Sequence, residues 1–340
     1  MGAAVTVDPA LTEMMGAVFA EYREARPPAA AIARDPALWR RLDELGLVRL
    51  TGAEESGGSG AGWFEAAELL TAAARNAVRI PLAEHDLLAC WLLDANGMPG
   101  DAAVRTVCLL DDDATARGVP WAADSDRVVV VWHDGDEHRV ADVERAALDI
   151  AAGVNLIGEP RDTVTADVTA LDGVPIGADL VAQLQMKAAV VRAIQVCAAL
   201  DETALRSIEH AGSRVQFGRT LSRFQAVQHS IADLTAEAAL ARAATESALT
   251  AAVGSDWTAP NLPFRIAVAR SCVGHAASVV VRNAHQVHGA IGTTIEHRLH
   301  EFTRAALAWR SEFGSVRHWD EQVTDATLAA GADVWRLITD

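Results

Sequence analysis

Basic residues are scarce in this chain. Lys and Arg together number 29 against 46 Asp and Glu, a formal net charge of −17 over 340 residues. Nucleic acid needs a basic surface to hold its phosphates, so that class of partner is excluded, and docking on anionic lipid is disfavoured for the same reason. One local arginine cluster is still enough to hold the phosphates of a small ligand. Cysteine is sparse too. Cys90, Cys108, Cys197 and Cys272 lie far apart, a spacing that builds neither a disulfide framework nor a zinc site. Each sits among apolar residues, which predicts buried free thiols. No apolar run reaches the roughly 18 residues of a membrane span. Met1 to Ala10 carries no basic-then-apolar leader and reads as a frayed start. A cytoplasmic protein is the expectation. Internal repeats and low-complexity tracts are lacking as well.

What is present reads as mainly α with a small β-domain: residues 1–102 helical, 103–174 mixed β, 175–340 helical again. Asp35-Pro36 has the form of an N-cap with proline at the first helical position, Leu38, Leu42 and Leu45 share a face, and Gly46 is a fitting stop. Residues 54–62 form a glycine-rich loop without the Lys-Ser/Thr ending of a phosphate loop, and so a surface turn. Helical spacing resumes over 63–76 and 82–96. Strands are expected at 104–110, 127–132, 139–143 and 164–168, with Asp134-Gly135 as a hairpin turn. Asp111-Asp112-Asp113 reads as a solvated loop. Four long helices, over 178–213, 224–253, 261–288 and 296–310, then make an antiparallel bundle, whose interior and seams are natural cofactor sites.

Two stretches of that bundle carry chemistry. Arg214-Val215-Gln216-Phe217-Gly218-Arg219 closes one helix, and Phe224-Gln225 opens the next. An arginine there complements the helix dipole, or presents a guanidinium fork to a phosphate. Free amides at the following helix start favour an anion. The second stretch is Gln286-Val287-His288-Gly289-Ala290-Ile291-Gly292, in which two glycines permit close backbone approach and Gln286 offers donor and acceptor. His285, His288, His297 and His300 lack cysteine partners and a clean ligand spacing, so no metal is expected there.

Together these stretches resemble the flavin-holding segments of acyl-CoA dehydrogenases. So do Leu38 to Gly46, Glu54 to Gly60, and Glu296-His297-Arg298-Leu299-His300 with Thr303-Arg304; the resemblance covers most of residues 36–95 and 180–319. It implies a helical N-domain, a β-domain and a C-terminal four-helix bundle, with FAD shared between subunits. It also implies an acyl-CoA thioester as substrate and an electron-transfer flavoprotein-type acceptor. Arg214 and Gln216 would meet the FAD phosphate and adenosine side, with Phe217 and Gln225 nearby. Gln286, Val287, His288, Gly289 and Ala290 would reach a flavin bound mainly by a neighbouring subunit. Ala290 stands where the family has a second glycine.

Two departures shape the expectation. The family's catalytic glutamate position, just before a glycine, is Phe313-Gly314; the alternative position on the first bundle helix is near Ala188, and no acid lies between Asp179 and Asp201. Glu312 is adjacent to the first position, but one helical step turns a side chain by about 100°. The β-region is also short and lacks the Thr-Glu-x-x-x-Gly-Ser loop and the Trp-x-Thr strand, and Trp121 reads as core. The chain therefore resembles the short, glutamate-lacking subunit of actinobacterial α2β2 acyl-CoA dehydrogenases that act on steroid side-chain CoA thioesters. That likeness implies a paralogous partner that supplies the base. The alternatives are a homo-oligomer with a relocated base, Glu312 or Glu296, and a non-catalytic scaffold subunit.

Overall fold

The computed structural model describes residues 7–26, 32–98 and 100–339. They fall into two compact units that divide the chain after Lys187.

In the first unit, helix α1 (Pro9–Glu24) begins inside the stretch expected to fray, because Asp8 accepts from the Ala10 amide at 2.9 Å and Pro9 suits the first turn; residues 1–6 lie outside the described residues. Helix α2 (Pro36–Glu44) starts as expected, with the Asp35 carboxylate accepting from the amides of Ala37 and Leu38. It ends on Gly46 at φ 71°, where the Leu47 amide reaches the Leu42 carbonyl at 2.8 Å. Helix α3 (Trp63–Arg75) packs against α1.

The expected helix over 82–96 has an unexpected gauge. Ala83–Cys90 is a π-helix, and α4 (Trp91–Ala95) continues it. Short π segments gather at unusual packing demands, and here Glu84, His85 and Asp86 are all buried. Asp86 accepts from the amide and hydroxyl of Thr51, at 2.9 and 3.0 Å. His85 Nδ1 accepts from the Arg105 amide at 3.1 Å.

The β-region holds seven strands: β1 (Arg105–Leu109), β2 (Thr115–Pro120), β3 (Arg127–Asp134), β4 (Glu137–Glu144), β5 (Asp149–Ala151), β6 (Arg161–Thr165) and β7 (Val174–Ile176). One sheet has the order β1-β3-β4-β7, with β1 and β3 parallel; the other has the order β2-β6-β5. Between them lies a core of Cys108, Leu110, Val128, Val130, Trp132, Val143, Ala116, Val119 and Val164. Val129 and Val131 on the opposite face of β3 are buried as well. Cover on both faces accounts for the unbroken valine run of 128–131. Trp121 is core, at 2% exposure. The chain's single lysine, Lys187, is also buried, its ammonium over the rings of Trp63 at 4.9 Å and Trp91 at 4.4 Å.

Helix α5 (Ala178–Ser213) runs on into the second unit. There follow the short pair β8 (Val215–Gln216) and β9 (Arg219–Thr220), then α6 (Gln225–Gly254), α7 (Leu262–His288), α8 (Leu299–Trp309), α9 (Val316–Ala330) and α10 (Val334–Thr339). Helix α7 is the spine, packing against α6, α8 and α9. Its extension Leu262–Thr293 is, among the described residues, the one stretch long and apolar enough by length and composition to cross a membrane, and half of its apolar window is buried. Helix α9 was not expected. Its few apolar residues give weak periodicity, and it is fixed to α7 by polar contacts instead: Asp320 accepts from the Ser271 hydroxyl at 2.6 Å and lies 3.0 Å from His275 Nε2. The apolar stripe expected along α5 is buried from Val190 to Cys197 but emerges at Leu205 and Ile208, which are about half exposed.

His85 sets a pH test. Burial first, then the guanidiniums of Arg49, Arg105 and Arg34, hold its pKa down to about 3. Below pH 6.5 the unfolded chain takes up a proton that the fold refuses. The neutral ring's contribution is therefore complete above pH 6.5 and is lost as pH falls toward 3. Urea-midpoint stability is expected to decline through this group by up to about 1.4 kcal/mol per pH unit. His85→Gln should decline less steeply between pH 6.5 and 4.5.

Candidate functional site

The Arg214 amide still bonds to the His210 carbonyl at 2.9 Å, so the arginine leaves directly from the end of α5. Pairing of β8 with β9 then forces Phe217 and Gly218 into a two-residue turn with φ of 51° and 76°. A phenylalanine in left-handed backbone costs about 1–2 kcal/mol, and this one leaves its ring 92% exposed. The backbone serves the hairpin, whereas the exposed ring has only an edge-on contact with Phe224, at 6.3 Å. Helix α6 begins at Gln225 with no side-chain cap on its first amides. Arg214, Gln216 and Gln225 are exposed. Among the described residues Arg214 makes no ion pair, although acids outnumber bases in this chain. A free guanidinium, an uncapped helix start and a presented aromatic ring suit a ligand with a diphosphate and a flat base.

The second stretch closes α7. Gln286, Gly289 and Ala290 are exposed, whereas Val287 and His288 are buried. The His288 ring stacks on His210 at 4.4 Å and meets His297 edge-on at 4.7 Å. This contact brings the C-terminal ends of α5 and α7 together, so both stretches project from one end of the second unit. Burial pushes the His288 pKa down to about 4, helped by His210, His297 and His285 and opposed by the Ala284 carbonyl. Of the four histidines close in sequence, His285 faces the Thr303 hydroxyl at 3.1 Å and His300 the His297 carbonyl at 2.9 Å. The histidine that joins 288 and 297 is His210, which no local spacing signals.

Residues 310–314 form the turn after α8. Arg192, 1% exposed, donates from Nε to Glu312 Oε2 at 2.7 Å, and its guanidinium lies 5.0 Å from the Phe313 ring centroid. Arg270, also buried, donates from Nη2 to the carbonyls of Arg310, Glu312 and Gly314, at 3.1, 2.7 and 3.2 Å. Burial lowers the Arg270 pKa to about 9, still charged at neutral pH. Phe313 takes φ 52° and Gly314 φ 113°. A Cβ on Gly314 would stand 2.6 Å from Trp319 Nε1, so both backbone and space require glycine there. Ala188 is buried, and Glu296 is exposed.

A helical region, paired β-sheets and a C-terminal helical array are the architecture of the acyl-CoA dehydrogenase class, FAD-dependent oxidoreductases acting on CH–CH bonds. Comparison with known proteins agrees. The acyl-CoA dehydrogenase N-terminal domain model matches residues 10–100 and the C-terminal domain model residues 178–316. The chain is 27% identical over 308 residues to acyl-CoA dehydrogenase IpdE2 of Mycobacterium tuberculosis, covering 87% of this chain and 89% of that protein. Acyl-CoA dehydrogenase FadE34 of the same organism is 34% identical over 142 residues, 42% of this chain and 20% of FadE34. The fold is shared with the ChsE4-ChsE5 complex from Mycobacterium tuberculosis, at TM-score 0.82 and 18% identity, covering 96% of this chain and 99% of that one. It is shared equally with the Tcur3481-Tcur3483 steroid ACAD G363A variant, at TM-score 0.81 and 20% identity, covering 95% and 98%. The chain belongs to the acyl-CoA dehydrogenase family.

Removing the Glu312 charge is expected to destabilise the fold, because Arg192 stays buried. Glu312→Gln should cost about 2 kcal/mol in chemical denaturation, whereas Glu296→Gln, at an exposed position, should change stability by less than about 0.5 kcal/mol.

Proposed function

We propose that this chain is one subunit of a heteromeric, FAD-dependent acyl-CoA dehydrogenase that introduces an α,β double bond into an acyl-CoA thioester, with the catalytic base coming from a paralogous partner subunit. One observation carries the reading. The family's base position holds Phe313, and the one adjacent carboxylate, Glu312, is committed to buried Arg192 at 2.7 Å. A general base needs a free lone pair within reach of the substrate proton, whereas the Glu312 carboxylate is engaged by a buried guanidinium.

The chain's own part is to hold the cofactor's adenine dinucleotide end. Arg214 pairs with the diphosphate, the amides at the start of α6 add donors, and Phe217 offers a face to the adenine side; Gln216 and Gln225 supply polar contacts at the rim. Gln286, Gly289 and Ala290 approach the cofactor from the end of α7, and positions 287 and 288 contribute main chain there, their side chains being buried. FAD, when bound, accepts the hydride that leaves the β-carbon. The two solved complexes sharing the fold carry two chain names each, and one is described as a steroid ACAD. This favours a steroid side-chain CoA thioester as substrate, with an electron-transfer flavoprotein-type acceptor. A cytoplasmic site of action completes the reading.

Purified alone, the chain is expected to lack the flavin absorbance band and activity, and to gain both on co-expression with its partner. A yellow, active homotetramer would contradict the proposal. Within the active complex, Arg214→Ala should weaken FAD retention by about tenfold or more, the loss of one charge-assisted contact, with unchanged circular dichroism. Unaltered FAD content would remove Arg214 from the site.

A further inference from the structure

Three imidazoles converge where α5 and α7 end. His210, His288 and His297 each bring one ring nitrogen within 4.8 Å of the other two. His288 is arranged as metal-ligating histidines are. Its Nδ1–H donates to the Ala284 carbonyl at 2.8 Å, which fixes the tautomer and leaves the lone pair on Nε2. That Nε2 is buried and has no hydrogen-bond partner, in a residue only 6% exposed. A buried polar atom without a partner is costly and calls for one.

We propose that His210, His288 and His297 form a binding site for a divalent transition-metal ion, zinc being the ion best suited to three neutral imidazoles with water in the fourth position. The distances need little adjustment, but the His210 ring, stacked on His288 with 21° between the planes, must rotate to aim its lone pair at the ion, and the His297 ring must turn away from the Leu299 amide. Three nitrogens at most 4.8 Å apart lie within about 2.8 Å of their centre, so each must close by about 0.7 Å or less to reach a Zn–N distance of about 2.0–2.1 Å. The His297 Nδ1 accepts from the Leu299 amide at 3.1 Å. Ligation through Nε2 therefore moves that ring's proton from Nε2 to Nδ1, with no net release, and frees an amide in the first turn of α8 that has no intrahelical partner in any case. Burial lowers the pKa of all three rings, so they are unprotonated at neutral pH. Two guanidiniums oppose a cation here: Arg214 near His210, and Arg206 near His297, the latter held by Glu202 at 2.7 Å. An affinity in the micromolar range follows, weaker than that of a structural thiolate site. The ion would tie the root of Arg214 to the root of Gln286.

A separate histidine pair must be silenced in the test, since His133 and His138 are opposite each other on β3 and β4, their tilted rings 3.9 Å apart. The full-length chain carrying His133→Asn, freed of metal by chelation, is titrated with zinc chloride against a chromophoric indicator. Cobalt(II) is then substituted and its visible spectrum recorded. One zinc per chain is expected, bound at about 10 µM or tighter, with the d–d bands of a tetrahedral cobalt site and a Tm that rises with zinc. His288→Gln and the less buried His210→Gln should each weaken binding by about tenfold or more. His210→Gln should keep the parent's Tm in chelator, which separates loss of a ligand from loss of fold. Absence of stoichiometric binding, or binding by both glutamine variants as tight as by the parent, would overturn the proposal and mark any uptake as adventitious.

Discussion

Two buried guanidiniums govern the second unit. Arg192 and Arg270 lie on neighbouring helices with almost no solvent, and a buried positive charge persists only where oxygen atoms surround it. The turn after α8 provides those atoms. Three of its carbonyls converge on Arg270, and the Glu312 carboxylate meets Arg192. Meeting the Arg192 Nε and the Arg270 Nη2 accompanies a tight path of the chain, with Phe313 in left-handed backbone and a glycine required at the next residue. The same demand consumes the only carboxylate adjacent to the position of the family's base. On the proposed reading a structural requirement decides a chemical one, this turn holding charge rather than moving protons.

The edge formed by Arg214 to Arg219 shows the opposite economy. The left-handed backbone at Phe217 and its ring in water cost stability that the β8–β9 pairing and an edge contact with Phe224 offset only in part, beside an uncapped helix start and an exposed guanidinium. Costs of this kind persist where a ligand or partner repays them. On the proposed reading the two ends of the second unit divide the work, one presenting donors to a cofactor and the other closed by an ion pair and by carbonyls on Arg270. A subunit that holds cofactor without supplying the base is the arrangement consistent with both.

Much of this was legible in the residues. Caps and periodicity located α2, α3 and the four long bundle helices, because those elements bury apolar stripes that repeat at 3.6 residues. The valine run of β3 and the hairpin at Gly135 were legible for similar reasons. Helix α1 escaped because its N-cap lies in a stretch that looks featureless. The short strands β2, β5 and β7 escaped because three to six residues containing Gly, Pro or Asp carry no alternation, and their pairing partners alone define them. Helix α9 is held by Asp320 rather than by an apolar face. At the proposed site, the spacing of Arg214, Phe217 and Gln225 suggested a binding edge, and Phe313 suggested that the base lies elsewhere. The Arg192–Glu312 pair spans 120 positions, and the approach of His210 to His288 spans 78. Contacts at that range belong to helix packing and leave no trace in local sequence.

The central claim is that this chain supplies no base. It is tested most directly by following deuterium incorporation at the α-carbon of the acyl-CoA substrate in D2O, with the assembled enzyme carrying Glu312→Gln in this chain. Loss of a general base costs about 10²–10⁴ in rate. Here exchange is expected to continue within a few-fold of the parent complex. A collapse of that order, in a complex that remains assembled and folded, would contradict the claim and return the base to this chain.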